Sequence, residues 1–247
     1  MKPTRAMVMA AGLGTRMRPL TDDRCKALVE VGGRALIDWT LDKLAAAGVG
    51  TAVVNVHHFA DRLEDHLARR EGGPDILISD ERERLMDTGG GLVKALPLLG
   101  GAPVFVANID ALWIDREIAE LDRLAAGFDE TAMDFRLLLS PVGHNLGFPG
   151  AGDFHLAPDG RIARRARGEG PLHAYAGVQV IHPRVLKGRP LQPFSTNVLW
   201  DEALEAGRIF GTPMDAFWMH VGDPQARDAA QNRLSSRGDD QTGPVRS

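Results

Sequence analysis

Short apolar runs alternate with amphipathic stretches in the first half of the chain, and this alternation restricts the possible folds more than any other feature. The apolar runs at residues 6–11, 51–56, 76–79 and 104–107 predict buried strands. Apolar residues at helical spacing between these runs predict the intervening helices. Strands separated by single helices favour a mixed, mostly parallel sheet with helices on both faces. The sequence therefore predicts an α/β fold.

The second half of the chain follows a different pattern. A stretch rich in glycine, proline and aspartate occupies residues 143–153, and the turn at residues 159–160, Asp-Gly, predicts a β-hairpin. Further strands and one helix follow without a linker or an internal repeat, so we expect one domain over residues 1–234. Apolar residues nearly vanish from residue 235 onward, which predicts a disordered tail over residues 235–247.

The charge balance and the cysteine content exclude several classes of protein. The chain carries 29 basic and 33 acidic residues, a net charge of −4, and has no excess of cations for a nucleic-acid backbone. Cys25 is the single cysteine, which excludes an internal disulfide and a cysteine-rich zinc site and suits a reducing compartment. No secretory signal or membrane-spanning segment is recognisable in the sequence. We therefore expect a cytoplasmic protein that binds neither nucleic acid nor membranes.

A glycine-rich loop follows the first predicted strand, where parallel α/β sheets bind their ligands. Gly12 and Gly14 would let backbone amides approach phosphate oxygens without an intervening Cβ atom. Arg16 and Arg18 add guanidinium groups suited to phosphate, and Lys26 follows closely. The loop matches neither a Walker loop nor a dinucleotide fingerprint. Two glycines alone could form a plain turn, but together with these cations they favour a phosphate-binding site.

Residues 10–21, which read AAGLGTRMRPLT, resemble the signature loop of the sugar-1-phosphate nucleotidyltransferases, G-x-G-T-R-[LM]-x-P-L-T. In that family a proline–lysine–proline triplet follows the loop. Here residues 25–27 read CKA, which keeps Lys26 and lacks both prolines. The resemblance implies a single-domain, Rossmann-like nucleotidyltransferase fold with a small β lid or substrate subregion. It also implies a nucleotide-binding half at about residues 1–140 and a sugar-binding half at about residues 141–234.

The resemblance implies roles for residues around a bound nucleotide. A loop whose backbone cradles the triphosphate would be formed by Ala11, Gly12, Leu13, Gly14 and Thr15. The family's catalytic positions correspond to Arg16 at the β- and γ-phosphates, Lys26 at the α-phosphate or sugar phosphate, and Asp110 at the metal. Thr88 and Gly89 are expected to contact the base and its ribose. Glu81 is a further candidate for the base, although it fits a run of solvated charges equally well.

A magnesium site is implied at the end of the fourth predicted strand. In the family, an aspartate at the position of Asp110 binds Mg²⁺ while nucleotide phosphates supply further oxygens. A second aspartate usually lies in a Trp-x-Asp-x-Gly segment, but here His220 occupies that position. Imidazole is a poor ligand for Mg²⁺, so we predict Asp223 as the second ligand and keep His220 as the competing candidate. Asp223 also fits the N-cap of a helix that begins at Pro224.

The segments GDF at residues 152–154 and AGV at residues 176–178 resemble substrate-side segments of short bacterial family members that activate N-acetylmuramate 1-phosphate. Candidates for contacts with the sugar are Asn108, Asp153, Glu169 and Gly177. Asp153 also fits a turn, and Gly177 a strand glycine needed for packing. An acidic sugar could be neutralised by the basic cluster of Arg161, Arg164, Arg165 and Arg167. We interpret that cluster as a solvated strand edge instead.

The predicted activity is nucleotidyl transfer from UTP to N-acetylmuramate 1-phosphate, which yields a nucleoside diphosphate sugar and pyrophosphate and serves cell-wall sugar recycling. A sugar phosphate has a second pKa of about 6 and is already a dianion, so the reaction needs alignment and charge neutralisation rather than a general base. A guanylyltransferase for mannose or heptose 1-phosphate is the alternative within the class. A non-catalytic nucleotide-binding regulatory protein is the alternative outside it. We expect a monomer or homodimer with Mg²⁺ as cofactor.

Overall fold

The computed structural model of the chain describes residues 2–166 and 170–241, the last five of these by their backbone alone. The strands are β1 (Arg5–Met9), β2 (Glu30–Val31), β3 (Arg34–Ala35), β4 (Thr51–Val56), β5 (Asp75–Asp80), β6 (Val104–Asn108), β7 (Ala111–Trp113), β8 (Phe135–Pro141), β9 (Asn145–Leu146), β10 (Phe154–Leu156), β11 (Ile162–Arg164), β12 (Leu172–Ile181), β13 (Ile209–Pro213) and β14 (Trp218–His220). The helices are α1 (Leu36–Ala46), α2 (Ala60–Ala68), α3 (Asp87–Leu99), α4 (Glu120–Ala126), α5 (Thr196–Glu205) and α6 (Pro224–Gln241).

One mixed sheet of nine strands organises the described part of the chain. Its central strands β5, β4, β1 and β6 run parallel in that order. Beyond β6 lies the long antiparallel strand β12, which also pairs with β8 and, near its start, with the β10–β11 hairpin. Strand β13 completes this side by pairing parallel with β8. The carboxyl ends of β1, β4, β5 and β6 therefore open on the same edge of the sheet.

Two apolar layers cover the faces of the sheet. On β1, Ala6 and Val8 belong to the layer that includes Leu36 and Leu41 of α1, whereas Met7 between them belongs to the layer that includes Leu92 of α3. Residues on both faces are fully buried, which explains why β1 is a continuous apolar run rather than an alternating one. Helices α1 and α2 thus lie on one face of the sheet, and α3 and α5 on the other.

The predicted α/β fold, with a mostly parallel central sheet and helices on both faces, is confirmed. The hairpin predicted at residues 159–160 joins β10 and β11. Missing from the prediction are β2, β3, β7 and β9, which have two or three residues each and give no periodic signal. Strand β14 lies within residues 217–221, where the sequence predicts a strand.

Two helices have different bounds from those expected. Helix α3 begins at Asp87, whereas the apolar pattern of the sequence predicts a shorter helix over residues 91–99, from the third of three consecutive glycines onward. Helix α6 extends to Gln241, beyond residue 235 at which the sequence predicts the tail to begin, and residues 242–247 lie outside the described range. Within the described residues, none of the helices has the length and apolar character needed to cross a bilayer.

Candidate active site

A cleft of about 430 Å³ opens at the carboxyl ends of β1 and β6, as the position of the glycine loop predicts. It is lined by Met9, Ala10, Ala11, Gly12, Leu13, Gly14, Thr15, Arg16, Met17, Lys26, Asn55, Glu81, Leu85, Asp87, Thr88, Asn108, Ile109, Asp110 and Gly222. The structure therefore brings together all five residues of the predicted phosphate loop, the three predicted catalytic side chains, and two of the three predicted base contacts. Arg16 is exposed and forms no salt bridge within the described residues.

The glycine loop is held in shape by its own turn and by Thr21. Gly14 adopts a φ of +65°, and its carbonyl oxygen accepts hydrogen bonds from Met17 N and Thr21 Oγ1, both at 2.9 Å. A Cβ atom on Gly14 would lie 3.1 Å from Thr21 Cγ2 and 3.2 Å from Lys26 Cβ, whereas one on Gly12 would meet nothing within 4 Å. Gly14 thus serves the turn itself, and Gly12 faces open space where a ligand can approach its backbone.

Asn55, near the end of β4, fixes the start of the loop. Its Oδ1 accepts the N–H groups of Ala10 at 2.7 Å and Ala11 at 3.2 Å, and its Nδ2 donates to Glu81 Oε1 at 2.8 Å. Glu81 Oε2 in turn accepts the N–H of Met86 at 2.9 Å. Sequence reasoning missed Asn55, although a polar residue inside a buried apolar run is a signal for such a role.

Glu81 is fully buried, so the interpretation as a run of solvated charges does not hold for it. Both of its carboxylate oxygens already accept hydrogen bonds from the protein, one from Asn55 and one from Met86. Glu81 lies beneath the cleft and orients Asn55, which makes it a positioning residue for the loop. A direct contact between Glu81 and a base stays a prediction.

Thr88 and Gly89 lie at the beginning of α3, but they face different surroundings. Thr88 lines the cleft, and its Oγ1 accepts the N–H of Thr196 at 2.9 Å. Gly89 is buried, does not line the cleft, and donates its N–H to Phe194 O at 2.8 Å. A Cβ atom on Gly89 would lie 2.6 Å from Phe194 Cδ2 and 2.9 Å from Phe194 O. Close packing of α3 against the segment before α5 thus explains this glycine, and its base contact stays a prediction without support from the geometry.

Lys26 and Asp110 form an ion pair inside the cleft. Lys26 Nζ lies 2.6 Å from Asp110 Oδ2, and the two side chains are 12% and 17% exposed. Burial by itself would raise the pKa of Asp110, but the attraction of Lys26 outweighs it and holds the pKa below the usual value of 3.8. The Asp110 carboxylate is therefore ionised at neutral pH and lies beside the ammonium group of Lys26.

Of the two candidates for a second metal ligand, His220 is the one beside Asp110. Its Nδ1 lies 4.0 Å from Asp110 Oδ2, and burial lowers the pKa of the ring below 6.5, so the imidazole is neutral at pH 7. Asp223 instead accepts the N–H of Ala226 at 2.8 Å and so caps α6, the structural alternative raised by the sequence. A metal-binding role for Asp223 stays a prediction.

The residues present fit a magnesium ion held mainly by Asp110 and by substrate. Within residues 2–166 and 170–241, no three histidine, cysteine, aspartate or glutamate side chains come together as metal ligands. Mg²⁺ usually keeps several waters and is bound through one or two carboxylates together with substrate phosphates. The ionised Asp110 suits that arrangement, whereas the neutral ring of His220 does not.

A second cavity of about 330 Å³ adjoins the cleft and shares with it Met9, Asp87, Thr88 and Asn108. Its remaining lining residues are Val106, Asp153, Arg164, Tyr175, Gln179, Ser195, Thr196, Asn197 and Trp200. Two of the predicted sugar contacts, Asn108 and Asp153, thus lie in one cavity next to the phosphate loop. Asp153 Oδ2 accepts the N–H of Tyr175 at 2.9 Å, which fixes the carboxylate.

The other two predicted sugar contacts lie elsewhere. Gly177 does not line either cavity; it adopts a φ of +82° in a bulge of β12, where a Cβ atom would come within 2.8 Å of Ala111 Cβ. Tight packing thus accounts for this glycine, as the structural alternative proposed, and a sugar contact by Gly177 stays a prediction. Glu169 lies outside the described residues.

The interpretation of the basic cluster as a solvated strand edge is wrong for Arg164. This side chain is 27% exposed and lines the second cavity, because β11 pairs with β10 and turns the side chain toward α5. Arg161, 60% exposed, does fit a strand edge, and Arg167 lies outside the described residues. Tyr175, Gln179 and Trp200 also line this cavity, although sequence reasoning did not select them. The sequence around these three residues contains no motif that indicates ligand binding.

Comparison with known proteins identifies the family to which this architecture corresponds. The model of the MobA-like NTP transferase domain matches residues 6–143. The chain is 51% identical over 236 residues to N-acetylmuramate alpha-1-phosphate uridylyltransferase of Caulobacter vibrioides, covering 94% of this chain and 98% of that protein. It is 34% identical over 221 residues to the protein of the same name from Neisseria meningitidis, covering 88% and 93%. A mannose-1-phosphate guanyltransferase from Aspergillus oryzae is more distant, with 31% identity over 90% of this chain and 61% of that protein.

Solved structures agree on the fold. The inositol-1-phosphate CTP transferase from T. maritima superposes with a TM-score of 0.76 over 96% of each chain, at 19% sequence identity. The predicted nucleotidyltransferase fold is thereby confirmed.

Proposed function

The chain belongs to the sugar-1-phosphate nucleotidyltransferases, and from this premise we propose that it transfers the uridylyl group of UTP to N-acetylmuramate 1-phosphate. The observation that carries the proposal is the junction of the two cavities, where Asp87, Thr88 and Asn108 line both. A triphosphate on the glycine loop and a sugar in the second cavity would therefore meet beside Lys26 and Asp110. The identity of 51% to a uridylyltransferase of N-acetylmuramate supports this pair of substrates.

The chemistry requires one bond to form and one to break. An oxygen of the sugar phosphate attacks the α-phosphorus of UTP and forms the new P–O bond. The bond between the α-phosphorus and the oxygen that bridges to the β-phosphorus breaks, and pyrophosphate leaves with that electron pair. Both reactants are anions, so the protein's tasks are alignment and neutralisation of charge.

Residues of the cleft divide these tasks. Asn55 fixes the start of the loop by accepting the N–H groups of Ala10 and Ala11, so the N–H groups of residues 12–15 would bind phosphate oxygens. The exposed Arg16 would neutralise the departing β- and γ-phosphates. Lys26 would exchange Asp110 for the α-phosphate or the sugar phosphate. Asp110 would hold Mg²⁺, which supplies neutralising charge at the phosphates when bound. None of these roles needs a nucleophilic side chain or a general base.

Because the reaction consumes a nucleoside triphosphate, we place it in the cytoplasm and assign it to the recycling of cell-wall sugars. The regulatory alternative without catalysis loses its support, because the curated relatives are nucleotidyltransferases over most of this chain. The guanylyltransferase alternative rests on more distant relatives.

A substrate matrix tests the proposal. The purified protein is assayed for Mg²⁺-dependent pyrophosphate release with each of four nucleoside triphosphates and with the 1-phosphates of N-acetylmuramate, N-acetylglucosamine, mannose and heptose. We expect the highest kcat/KM for UTP with N-acetylmuramate 1-phosphate. Preference for GTP with mannose or heptose 1-phosphate would replace the proposed substrates, and turnover of none of the pairs would contradict the proposed reaction.

A further inference from the structure

Arg164 is the cation of the second cavity. Among the lining residues in the described part of the chain, Asp87 and Asp153 are acidic and Arg164 alone is basic. Its side chain is 27% exposed, which leaves it partly shielded from water. Arg164 does not line the cleft of the glycine loop, where Arg16 and Lys26 are available for phosphates. We therefore expect Arg164 to bind a part of the substrate other than its phosphates.

The guanidinium group is held firmly in place by two polar partners on α5. Arg164 Nε and Nη2 donate to Asp201 Oδ1 at 2.9 Å and 2.7 Å, and Nη2 also donates to Asn197 Oδ1 at 3.0 Å. These bonds leave Nη1 as the nitrogen without an acceptor in the described part of the structure. Asp201 is 59% exposed, so solvent screens its charge and the pair does not cancel the cation.

Two aromatic rings complete the support. The guanidinium carbon of Arg164 lies 4.9 Å from the ring centroid of Phe154 and 5.8 Å from that of Trp200. Trp200 is itself fixed, because its Nε1 donates to Gln179 Oε1 at 2.9 Å. Tyr175 packs edge-to-face against Trp200 at 4.9 Å, and its hydroxyl is buried without a hydrogen-bond partner among the described residues. The second cavity is thus lined by a firmly held guanidinium group that has one nitrogen without an acceptor among the described residues, which suits an anionic ligand.

We propose that Arg164 Nη1 binds the carboxylate of the lactyl group of the sugar and thereby selects N-acetylmuramate 1-phosphate over N-acetylglucosamine 1-phosphate. The inference rests on the proposed function, since it concerns the sugar that occupies this cavity. The sugar phosphate must point toward Lys26 and Asp110, so an anion at Arg164 belongs to another part of the sugar. N-Acetylmuramate differs from N-acetylglucosamine by a lactyl ether that carries one carboxylate, and a preorganised guanidinium matches a carboxylate in charge and geometry.

The test compares two substrates that differ only by the lactyl group. Values of kcat/KM with UTP are measured for both 1-phosphates on the wild-type protein, Arg164→Gln and Arg161→Gln. Arg161 is the matched control, because it belongs to the same hairpin, is 60% exposed, and stacks on Phe210 outside the cavity. We expect Arg164→Gln to lower kcat/KM for the muramyl substrate roughly 10- to 100-fold, the range for a lost hydrogen bond to a charged group. The glucosaminyl substrate should change less than about threefold, since it lacks the group that Arg164 binds.

A measurement on the wild-type protein avoids any dependence on the folding of the variant. Conversion of the lactyl carboxylate of the muramyl substrate to the neutral amide should lower kcat/KM of the wild-type protein by a similar factor. The same conversion should hardly change kcat/KM of Arg164→Gln. An equal loss for both sugars in Arg164→Gln, or full activity of wild-type protein on the amide, would overturn the assignment of Arg164. Failure of the wild-type protein to use N-acetylmuramate 1-phosphate at all would instead overturn the proposed function, and this inference with it.

Discussion

Lys26 Nζ donates to Asp110 Oδ2 at 2.6 Å and so joins the segment after the glycine loop to the end of β6, 84 residues later in the chain. Both side chains are mostly buried, so each depends on the other for a partner. The pair places a cation in the cleft in which, under the proposed function, the phosphates bind. The proposed catalytic roles of these two residues are therefore coupled to their structural role as partners.

Replacing Lys26 by methionine should destabilise the fold, because it leaves the Asp110 carboxylate buried without its partner. We expect the free energy of unfolding to fall by about 3 kcal/mol in urea titrations at pH 7, within the range for a broken buried ion pair. The double variant Lys26→Met with Asp110→Asn should recover much of that loss, since it removes the unpaired charge. Additive losses in the double variant would show that the two residues do not stabilise each other.

Asn55→Ala should weaken triphosphate binding, because it removes the acceptor that holds the N–H groups of Ala10 and Ala11 and the donor to Glu81. The free energy of unfolding should fall by about 1–3 kcal/mol, since several buried polar groups lose a partner. The KM for UTP should rise several-fold, while the KM for the sugar phosphate changes little. Equal increases in both KM values would contradict a role for Asn55 confined to the loop.

Gly89→Ala should lower the stability of the fold, whereas Gly12→Ala should leave stability unchanged and weaken nucleotide binding. A Cβ atom on Gly89 would lie 2.9 Å from Phe194 O, so we expect the free energy of unfolding to fall by about 1–3 kcal/mol. A Cβ atom on Gly12 meets no protein atom within 4 Å, so stability should stay within about 0.5 kcal/mol. The methyl group that Gly12→Ala introduces would instead lie in the cleft and raise the KM for UTP. Loss of stability without a change in KM for Gly12→Ala would refute the position of the loop beside the nucleotide.

Asp134 should contribute stability that disappears in acid. Its carboxylate binds Arg184 at 2.5 Å and Arg208 at 2.8 Å; burial by itself would raise the pKa, but these partners outweigh it and hold the pKa below 3.8. A carboxyl whose pKa is lower in the folded state stabilises the fold above its unfolded pKa, and this stabilisation is lost as the pH falls through the folded value.

Asp134→Asn should therefore lower the free energy of unfolding by about 1–3 kcal/mol at pH 7, and the difference from wild type should shrink below pH 3.8. Urea unfolding at a series of pH values measures both. Asp159→Asn is the control, because that side chain is 62% exposed and contacts only the side chain and the backbone N–H of Arg161 among the described residues. If the difference in the free energy of unfolding between Asp134→Asn and wild type grew toward low pH, it would contradict a stabilising role for the ionised Asp134.

The sequence predicts the central sheet and the phosphate loop because both leave strong local signals. Buried parallel strands appear as continuous apolar runs, and the loop combines glycines with Arg16 and Lys26 in a recognisable order. Weak or shared signals leave other positions open. Gly89 resembles a ligand-binding glycine in sequence, yet only the position of Phe194 shows that packing requires it. Contacts between residues far apart in the sequence, such as Gly89 and Phe194, decide whether a glycine serves packing or ligand binding.

Arg164 illustrates the same limit for charged residues. In sequence it is one of several arginines after an Asp-Gly turn, and nothing local distinguishes it from the exposed Arg161. Its distinct position arises from contacts with Asn197 and Asp201, which lie 33 and 37 residues away in the chain. Asp223 shows the converse, since its local signal as a helix cap matches the hydrogen bond to Ala226 that the structure contains.

The proposed transfer takes place in the cleft between the glycine loop and Asp110. Its most direct test is the single-turnover rate of UDP-sugar formation from UTP and N-acetylmuramate 1-phosphate in Mg²⁺, compared between wild type and Asp110→Asn. Asp115→Asn is the matched control, because Asp115 also pairs with a lysine, Lys43, but does not line the cleft. We predict that Asp110→Asn loses about 100-fold or more in rate while Asp115→Asn keeps nearly the wild-type value. A rate for folded Asp110→Asn close to that of wild type would contradict the account.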